Sequence, residues 1–198
     1  MHDKRFDPKQ IEKLEDPQRL TWLPPSEIVG ALALEPGMTI ADLGAGSGYF
    51  AIPIARAVGD SGKVFAVDVS PEMLGHLREK LAQPGMPSNI DLVEGEATGT
   101  TLPTASCDVV FFANVWHEIE DHLQALRESE RLLRPLGRIA ILDWSPEATR
   151  PPGPPLEHRI ARSELEKMAS DNGWKVQRAE NIGQYTYLVI AQPPPPSA

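Results

Sequence analysis

Cysteine is almost missing from this sequence: Cys107 is the only one in 198 residues. An internal disulfide is therefore excluded, and so is a cysteine-built zinc or iron–sulfur centre, so no metal site is expected. Long apolar runs are missing too. The stretch from Val109 to Ala113 falls far short of the ~20 residues a bilayer-spanning helix needs, so no membrane insertion is expected. The opening residues Met1-His2-Asp3-Lys4-Arg5-Phe6-Asp7-Pro8 lack the apolar core and small-residue cleavage site of a secretory signal, and a cytoplasmic protein is expected. Positive charge is scarce as well. With 19 basic against 28 acidic residues the net charge is −9, which argues against a general attraction to nucleic acid. Aromatic residues, at 6%, are not interleaved with Lys and Arg as on a single-strand binding platform, so a small-molecule partner is favoured.

What is present is ordinary globular material, 41% hydrophobic and 24% charged, at a length that fits one domain. Short β-rich runs alternate with helical patterns, which points to βαβ units and an α/β, doubly wound, mostly parallel sheet with helices on both faces. Helical pieces around Pro8–Leu14, Pro17–Leu23 and Pro25–Leu34 would form an N-terminal cap over 1–37. A core over 38–144 follows, with strands Met38–Leu43, Lys63–Val69, Asn89–Gly95, Asp108–Val115 and Gly137–Trp144. Between them lie helices Tyr49–Val58, closed by Gly59, one opened by Ser70-Pro71, and Glu120–Leu133 with Leu123, Leu126 and Leu133 turned inward. Residues 145–162, with five prolines from Ser145 to Pro155, read as a loop or lid over the active-site end. Ser163-Glu164-Leu165-Glu166 has the pattern of a capping box. That helix and the strands Trp174–Glu180 and Tyr185–Ala191, an antiparallel hairpin turning at Gly183, fill 163–192; a disordered tail over 193–198 is expected.

The most informative segment is Asp42-Leu43-Gly44-Ala45-Gly46-Ser47-Gly48-Tyr49, where a strand ends in a glycine-rich turn that opens a helix. Glycine there serves either a tight turn alone or a backbone that approaches a nucleoside cofactor. The spacing is G-x-G-x-G, and Tyr49 stands where the dinucleotide fingerprint requires glycine, so a pyrophosphate site is disfavoured. Asp68 ends the second strand 20 residues beyond Gly48. A carboxylate there either accepts both hydroxyls of a ribose or caps the turn before Ser70.

Taken with Glu96-Ala97 after the third strand, Asp108-Val109-Val110 opening the fourth and Leu132-Leu133-Arg134-Pro135 before the fifth, this pattern resembles the class I S-adenosylmethionine-dependent methyltransferases. Within them it is most similar to the small single-domain group that includes the ubiquinone and menaquinone biosynthesis methyltransferases. The resemblance runs from Met38 to Trp144. It implies a Rossmann-like seven-stranded sheet in order 3-2-1-4-5-7-6 with the seventh strand antiparallel, S-adenosyl-L-methionine as cofactor and S-adenosyl-L-homocysteine as product. By position it implies that Gly44, Gly46 and Gly48 cradle the cofactor, Asp42 holds the loop or the amino group, and Asp68 holds the ribose. Glu96 and Ala97 would face the adenine, and Asn114 the amino group. Leu136 departs from the family, which commonly has glycine there. Arsenite methyltransferases resemble the group but rely on several cysteines, which this chain lacks.

Methyl transfer from a sulfonium is an in-line displacement, so a base is needed only where the acceptor must lose a proton. His117, just beyond the central strand in Asn114-Val115-Trp116-His117-Glu118, is either that base, oriented by Glu118 or another acid, or a hydrogen-bonded structural residue. Asp143 and Trp144, ending the fifth strand, either meet the acceptor or anchor the proline-rich loop. Tyr49, Trp116 and His158 complete the candidate acceptor contacts, and the cap, with Arg19 and Trp22, would close over the site with the loop. His2, His76 and His122 fall among surface charges. The expected activity is methyl transfer to a small-molecule acceptor by a monomer or homodimer. A cofactor-binding regulator without turnover and a nicotinamide-dependent oxidoreductase are the alternatives.

Overall fold

Strand positions here alternate between two apolar layers, and that alternation builds the molecule. The computed structural model describes residues 11–148 and 152–195. Strands β1 (Thr39–Leu43), β2 (Lys63–Asp68), β3 (Ile90–Glu94), β4 (Cys107–Ala113), β5 (Leu133–Trp144), β6 (Lys175–Ile182) and β7 (Thr186–Gln192) form one sheet in the order β3-β2-β1-β4-β5-β7-β6. Neighbours from β3 through β5 are parallel, whereas β7 runs antiparallel to both β5 and β6. Both the doubly wound class and the strand order implied by the resemblance are present.

Val109 and Phe111 of β4 face one core, shared with α3 (Pro25–Ala31), α4 (Ala51–Val58) and Leu77 of α5 (Pro71–Leu81). Val110 and Phe112 face the other, shared with α6 (His122–Leu132) and α7 (Arg162–Asp171). A strand covered on both faces has no polar side to spare, which is why β4 reads as an uninterrupted apolar run. Before β1, α1 (Ile11–Leu14), α2 (Arg19–Trp22) and α3 make the cap, seated by the fully buried Leu23, Ile28 and Leu32. The expected helix over Pro8–Leu14 lies partly outside the described residues, as does the end of the tail. The Ser70 side chain accepts the Met73 N–H at 3.2 Å, capping α5 as expected with Pro71 in its first turn.

Several local expectations are corrected. Helix α7 begins at Arg162 with Ala161 at its N-cap and no side-chain cap, so Ser163 lies inside the helix. Glu166 pairs instead with Arg162 one turn back, at 3.1 Å; the i, i+4 ion pair takes the acid the capping box would have used. In α6, capped by Asp121 onto the Gln124 N–H, Leu126 is buried but Leu123 is 43% exposed. Leu133 has already left the helix for β5. Leu136 is 89% exposed with φ +70°, so the backbone keeps the left-handed conformation natural to the glycine it replaces. Among the described residues no helix is long and apolar enough to cross a membrane.

Candidate cofactor and acceptor site

In this sheet the strand order reverses between β1 and β4, so the chain leaves their carboxyl ends in opposite directions and opens a crevice. A cavity of about 390 Å³ lies there. Among its walls are Asp42 from β1, Gly44 and Gly46 from the following turn, Asp68 and Ser70 after β2, Glu96 and Ala97 after β3, and Asn114, Val115 and Glu118 after β4. Tyr49 also lines it, together with Leu14 and Arg19 from the cap and residues Ile119 to Asp121.

Four amides of the glycine turn, those of Gly44, Ala45, Gly46 and Gly48, are taken within the protein. Gly44 and Ala45 both donate to the Val67 carbonyl, at 2.8 and 3.0 Å, and Gly48 donates to Ala45. The Gly46 N–H donates to Asp68 Oδ2 at 2.7 Å. What this turn offers a ligand is close approach. Gly44, at φ +81°, lies so near Val115 that a Cβ would stand 2.7 Å from its Cγ2. Gly48, expected in the cradle, does not line the cavity. Its missing side chain makes room for Leu77, which closes α5 against the turn.

Four buried polar side-chain atoms of cavity-lining residues have no partner among the described residues: both carboxylate oxygens of Asp42 and both amide atoms of Asn114. Complete burial, and next the charge of Asp68, push the Asp42 carboxyl up to about 7. Asn114 stands in the left-handed region, φ +57°, its N–H given to the Leu142 carbonyl. Buried polar groups are almost always satisfied, so this set awaits a ligand. Three acceptor oxygens suit an ammonium group. Asp68 also takes the Ser70 N–H on Oδ1 at 2.9 Å. Burial raises its carboxyl above the usual range despite these backbone donors. Each oxygen keeps a further lone pair for a ribose hydroxyl. The residues present thus fit a nucleoside bearing an amino-acid head group.

His117 and Asp143 are brought together beside the cavity without lining it. A 3₁₀ turn over Trp116–Glu118 places the imidazole against the end of β5. His117 Nδ1 lies 2.8 Å from Asp143 Oδ1, and the His117 backbone N–H donates to Oδ2 at the same distance. They are 4% and 1% exposed. Burial works against the imidazolium, but the Asp143 hydrogen bond and charge, helped by Glu118, raise the His117 pKa. With Nδ1 committed, Nε2 points toward Glu118, 3.7 Å away, and Glu118 does reach the cavity.

Trp116 is corrected from acceptor contact to core residue. It is fully buried, packed edge-on to Phe112 and stacked on the half-buried His122, whose Nε2 lies 3.0 Å from the Trp116 carbonyl. Trp144 takes its anchoring role: Trp22 lies 5.5 Å from it, Arg159 5.6 Å above it, and Gly153 packs on its face. Arg159 folds the proline-rich loop around itself through the carbonyls of Ser145, Ala148, Pro152 and Pro154. The described part of this loop and His158 do not line the cavity. Arg19, expected in the cap that closes over the site, lines the cavity itself, and the segment Ile119–Asp121 joins it without having been among the expected contacts. Nothing in local spacing marks them, because tertiary docking carries them there.

The sequence matches a methyltransferase domain model over residues 41–141. The ubiquinone/menaquinone biosynthesis C-methyltransferase UbiE of Hahella chejuensis is 37% identical over 109 residues, covering 55% of this chain and 44% of that protein. The chain spans about half the length of the curated relatives it matches. A crystal structure of a SAM-dependent methyltransferase from Aquifex aeolicus superposes with a TM-score of 0.88 at 35% identity, covering 94% of this chain and 98% of that one. The arsenic(III) methyltransferase CrArsM of Chlamydomonas reinhardtii, 23% identical with a TM-score of 0.61 over 79% of this chain and 62% of that one, shares the fold.

Proposed function

Because the chain belongs to the class I S-adenosylmethionine-dependent methyltransferases, we propose that it transfers a methyl group from S-adenosylmethionine to a small-molecule acceptor. The observation that carries this reading is the set of Asp42 and Asn114 atoms left unpartnered among the described residues in the cavity beside the glycine turn. Asp68 would hold the ribose, Glu96 and Ala97 the adenine, and Asp42 with Asn114 the ammonium. When bound, the cofactor supplies an electrophilic methyl group on a sulfonium. The chain's part is to align the acceptor and, where a proton must leave, to take it.

For that proton His117 is the candidate. With Nδ1 donating to Asp143, a neutral imidazole would keep its basic lone pair on Nε2, 3.7 Å from Glu118, which lines the cavity. A small acceptor agrees with the curated relatives, whose names describe C-methylation in ubiquinone and menaquinone biosynthesis. The net charge of −9 favours a non-nucleic-acid acceptor, and a cytoplasmic monomer or homodimer is part of the same reading.

The test is calorimetric titration with S-adenosylmethionine, S-adenosylhomocysteine and NADH, followed by transfer of labelled methyl to fractionated small molecules, protein and RNA. The expected outcome is binding of both sulfur nucleosides, its loss in Asp68→Ala, and label in the small-molecule fraction. Binding of NADH alone would overturn the reading, label in RNA would overturn the acceptor class, and nucleoside binding without turnover would favour a regulatory role.

A further inference from the structure

The three residues of the 3₁₀ turn after β4 go three different ways, and that decides which of them an acceptor in the cavity can reach. Trp116 goes into the core, His117 against the end of β5, and Glu118 to the cavity wall. The His117 ring is clamped where it stands. Asp143 takes Nδ1 on Oδ1 and the His117 backbone N–H on Oδ2, both at 2.8 Å, and Oδ1 also takes the Trp144 N–H at 2.8 Å. Swinging the imidazole toward the cavity would break a buried, charge-assisted bond and leave the Asp143 charge poorly answered. The His117 side chain is 4% exposed against 17% for Glu118, whose Oε1 stands 3.7 Å from Nε2. The surroundings act on the ring's charge from several elements. Burial opposes the imidazolium; the hydrogen bond and charge of Asp143 favour it, Glu118 adds to them, and Arg159 from the segment before α7 works against them. Tyr187, opposite Asp143 in the register of β5 with β7, stays a neutral phenol, because burial and then the charges of Asp143 and Glu164 hold its proton.

We propose that Glu118 is the catalytic residue that meets the acceptor: its carboxylate takes the acceptor's proton and passes it to His117 Nε2, behind which Asp143 holds the imidazolium. The inference rests on the methyltransferase reading and deepens it, turning the base from a single histidine into a relay of acid, imidazole and acid. In the step it serves, an electron pair of the acceptor atom forms the new bond to the methyl carbon. The carbon–sulfur bond breaks with its pair going to sulfur, and the acceptor's proton goes to a Glu118 oxygen and on to Nε2. A carboxylate alone is a weak base at neutral pH, and the imidazole behind it gives the proton a more basic place to rest. The relay also narrows the acceptor class. It suits a hydroxyl, an N–H or an activated C–H, each of which has a proton to give, and is idle toward a thioether or a tertiary amine, whose methylation releases none.

The experiment follows His117 itself. Histidine-labelled protein without nucleoside is titrated by nitrogen NMR over roughly pH 5 to 9, with His117→Gln to assign the signal. In Glu118→Gln the His117 midpoint should fall by about 0.5 or more on the pH scale, while that of His76 stays in place. Transfer of labelled methyl to the small-molecule fraction of a cell extract should slow by about a hundredfold or more in the same variant, with S-adenosylhomocysteine affinity within about threefold of wild type. The wild-type rate should rise with pH through the His117 midpoint, since an imidazolium cannot take a proton, and the residual rate of Glu118→Gln should rise at the lower midpoint. Glu118→Asp, which keeps a carboxylate on a shorter arm, should recover part of the rate. An unmoved midpoint, a wild-type rate, or a loss of rate matched by lost nucleoside affinity would overturn the proposal. So would a wild type that binds nucleoside and transfers no label. If Glu118→Gln fails to fold, Glu118→Asp decides by the same readings. Wild type binding neither S-adenosylmethionine nor S-adenosylhomocysteine would overturn the methyltransferase reading itself, and calorimetry tells that outcome apart from a failed relay.

Discussion

Asp42 carries the clearest conflict between stability and use at the level of single residues. A carboxylate with no hydrogen-bond partner among the described residues, fully buried and near Asp68, holds its proton up to a pKa of about 7. Its folded pKa lies above the unfolded value, so the folded state keeps a proton that the unfolded state releases. Stability is therefore lost as pH rises from about 4 to about 7. His117, also raised, acts in the same sense: its contribution is complete below the ordinary histidine value and disappears as pH climbs through the raised one. Asp42→Asn should remove the lower part of this slope. We expect the ligand-free variant to melt at least about 4 °C higher than wild type at pH 8, with S-adenosylhomocysteine affinity down about tenfold or more, measured by thermal denaturation and calorimetry. A lower melting point at pH 8 would mean that Asp42 is not strained. Asp42 and Asp68 are legible in the sequence because both sit at fixed offsets from the glycine turn. Arg19 is legible only as a member of the cap over the site, since its place in the cavity wall depends on how α2 docks.

Among the elements, the turn between β1 and α4 bears directly on the segment after β4. Gly44 needs φ +81° and leaves no room for a methyl group beside Val115, whose Cβ would be 2.9 Å from it. Gly44→Ala should therefore combine left-handed strain with a push on the cavity wall, costing ~1–3 kcal/mol of stability by chemical denaturation and most of the cofactor affinity. A variant that keeps wild-type stability and binding would show that Val115 yields freely. Elements with strong local signals, such as the β4 run and the Ser70-Pro71 start of α5, can be read from sequence because the pattern has one physical solution. The Ser163 capping box fails for the opposite reason. Glu166 has two possible partners, and the ion pair with Arg162 is the one made. Trp116 is misread because a 3₁₀ turn, invisible to periodicity, returns its indole to the core.

Over the whole molecule, the sheet fixes where chemistry is possible. Its order reverses between β1 and β4, so the glycine turn, Asp68 after β2 and Asn114 after β4 converge at one end from distant parts of the chain. The opposite end is occupied by structural contacts, with Asp108 accepting from Arg134 and from the Thr39 N–H, both at 2.7 Å. The cap spans the working end. Leu14 and Arg19 wall the cavity, while Trp22 leaves it to meet Trp144 on β5 and Tyr185 before β7.

That last contact gives the molecule an optical property of its own. The indoles of Trp22 and Trp144 lie 5.5 Å apart at an interplanar angle of 41°, close and skewed enough for their ultraviolet transitions to couple. Circular dichroism should show a paired positive and negative band from this exciton, absent in Trp22→Phe and in Trp144→Phe alike. Because one chromophore rides on the cap and the other on the sheet, the band reports in real time, without an attached label, whether the cap is seated. Equal spectra for wild type and both variants would mean that the two rings do not keep this arrangement in solution.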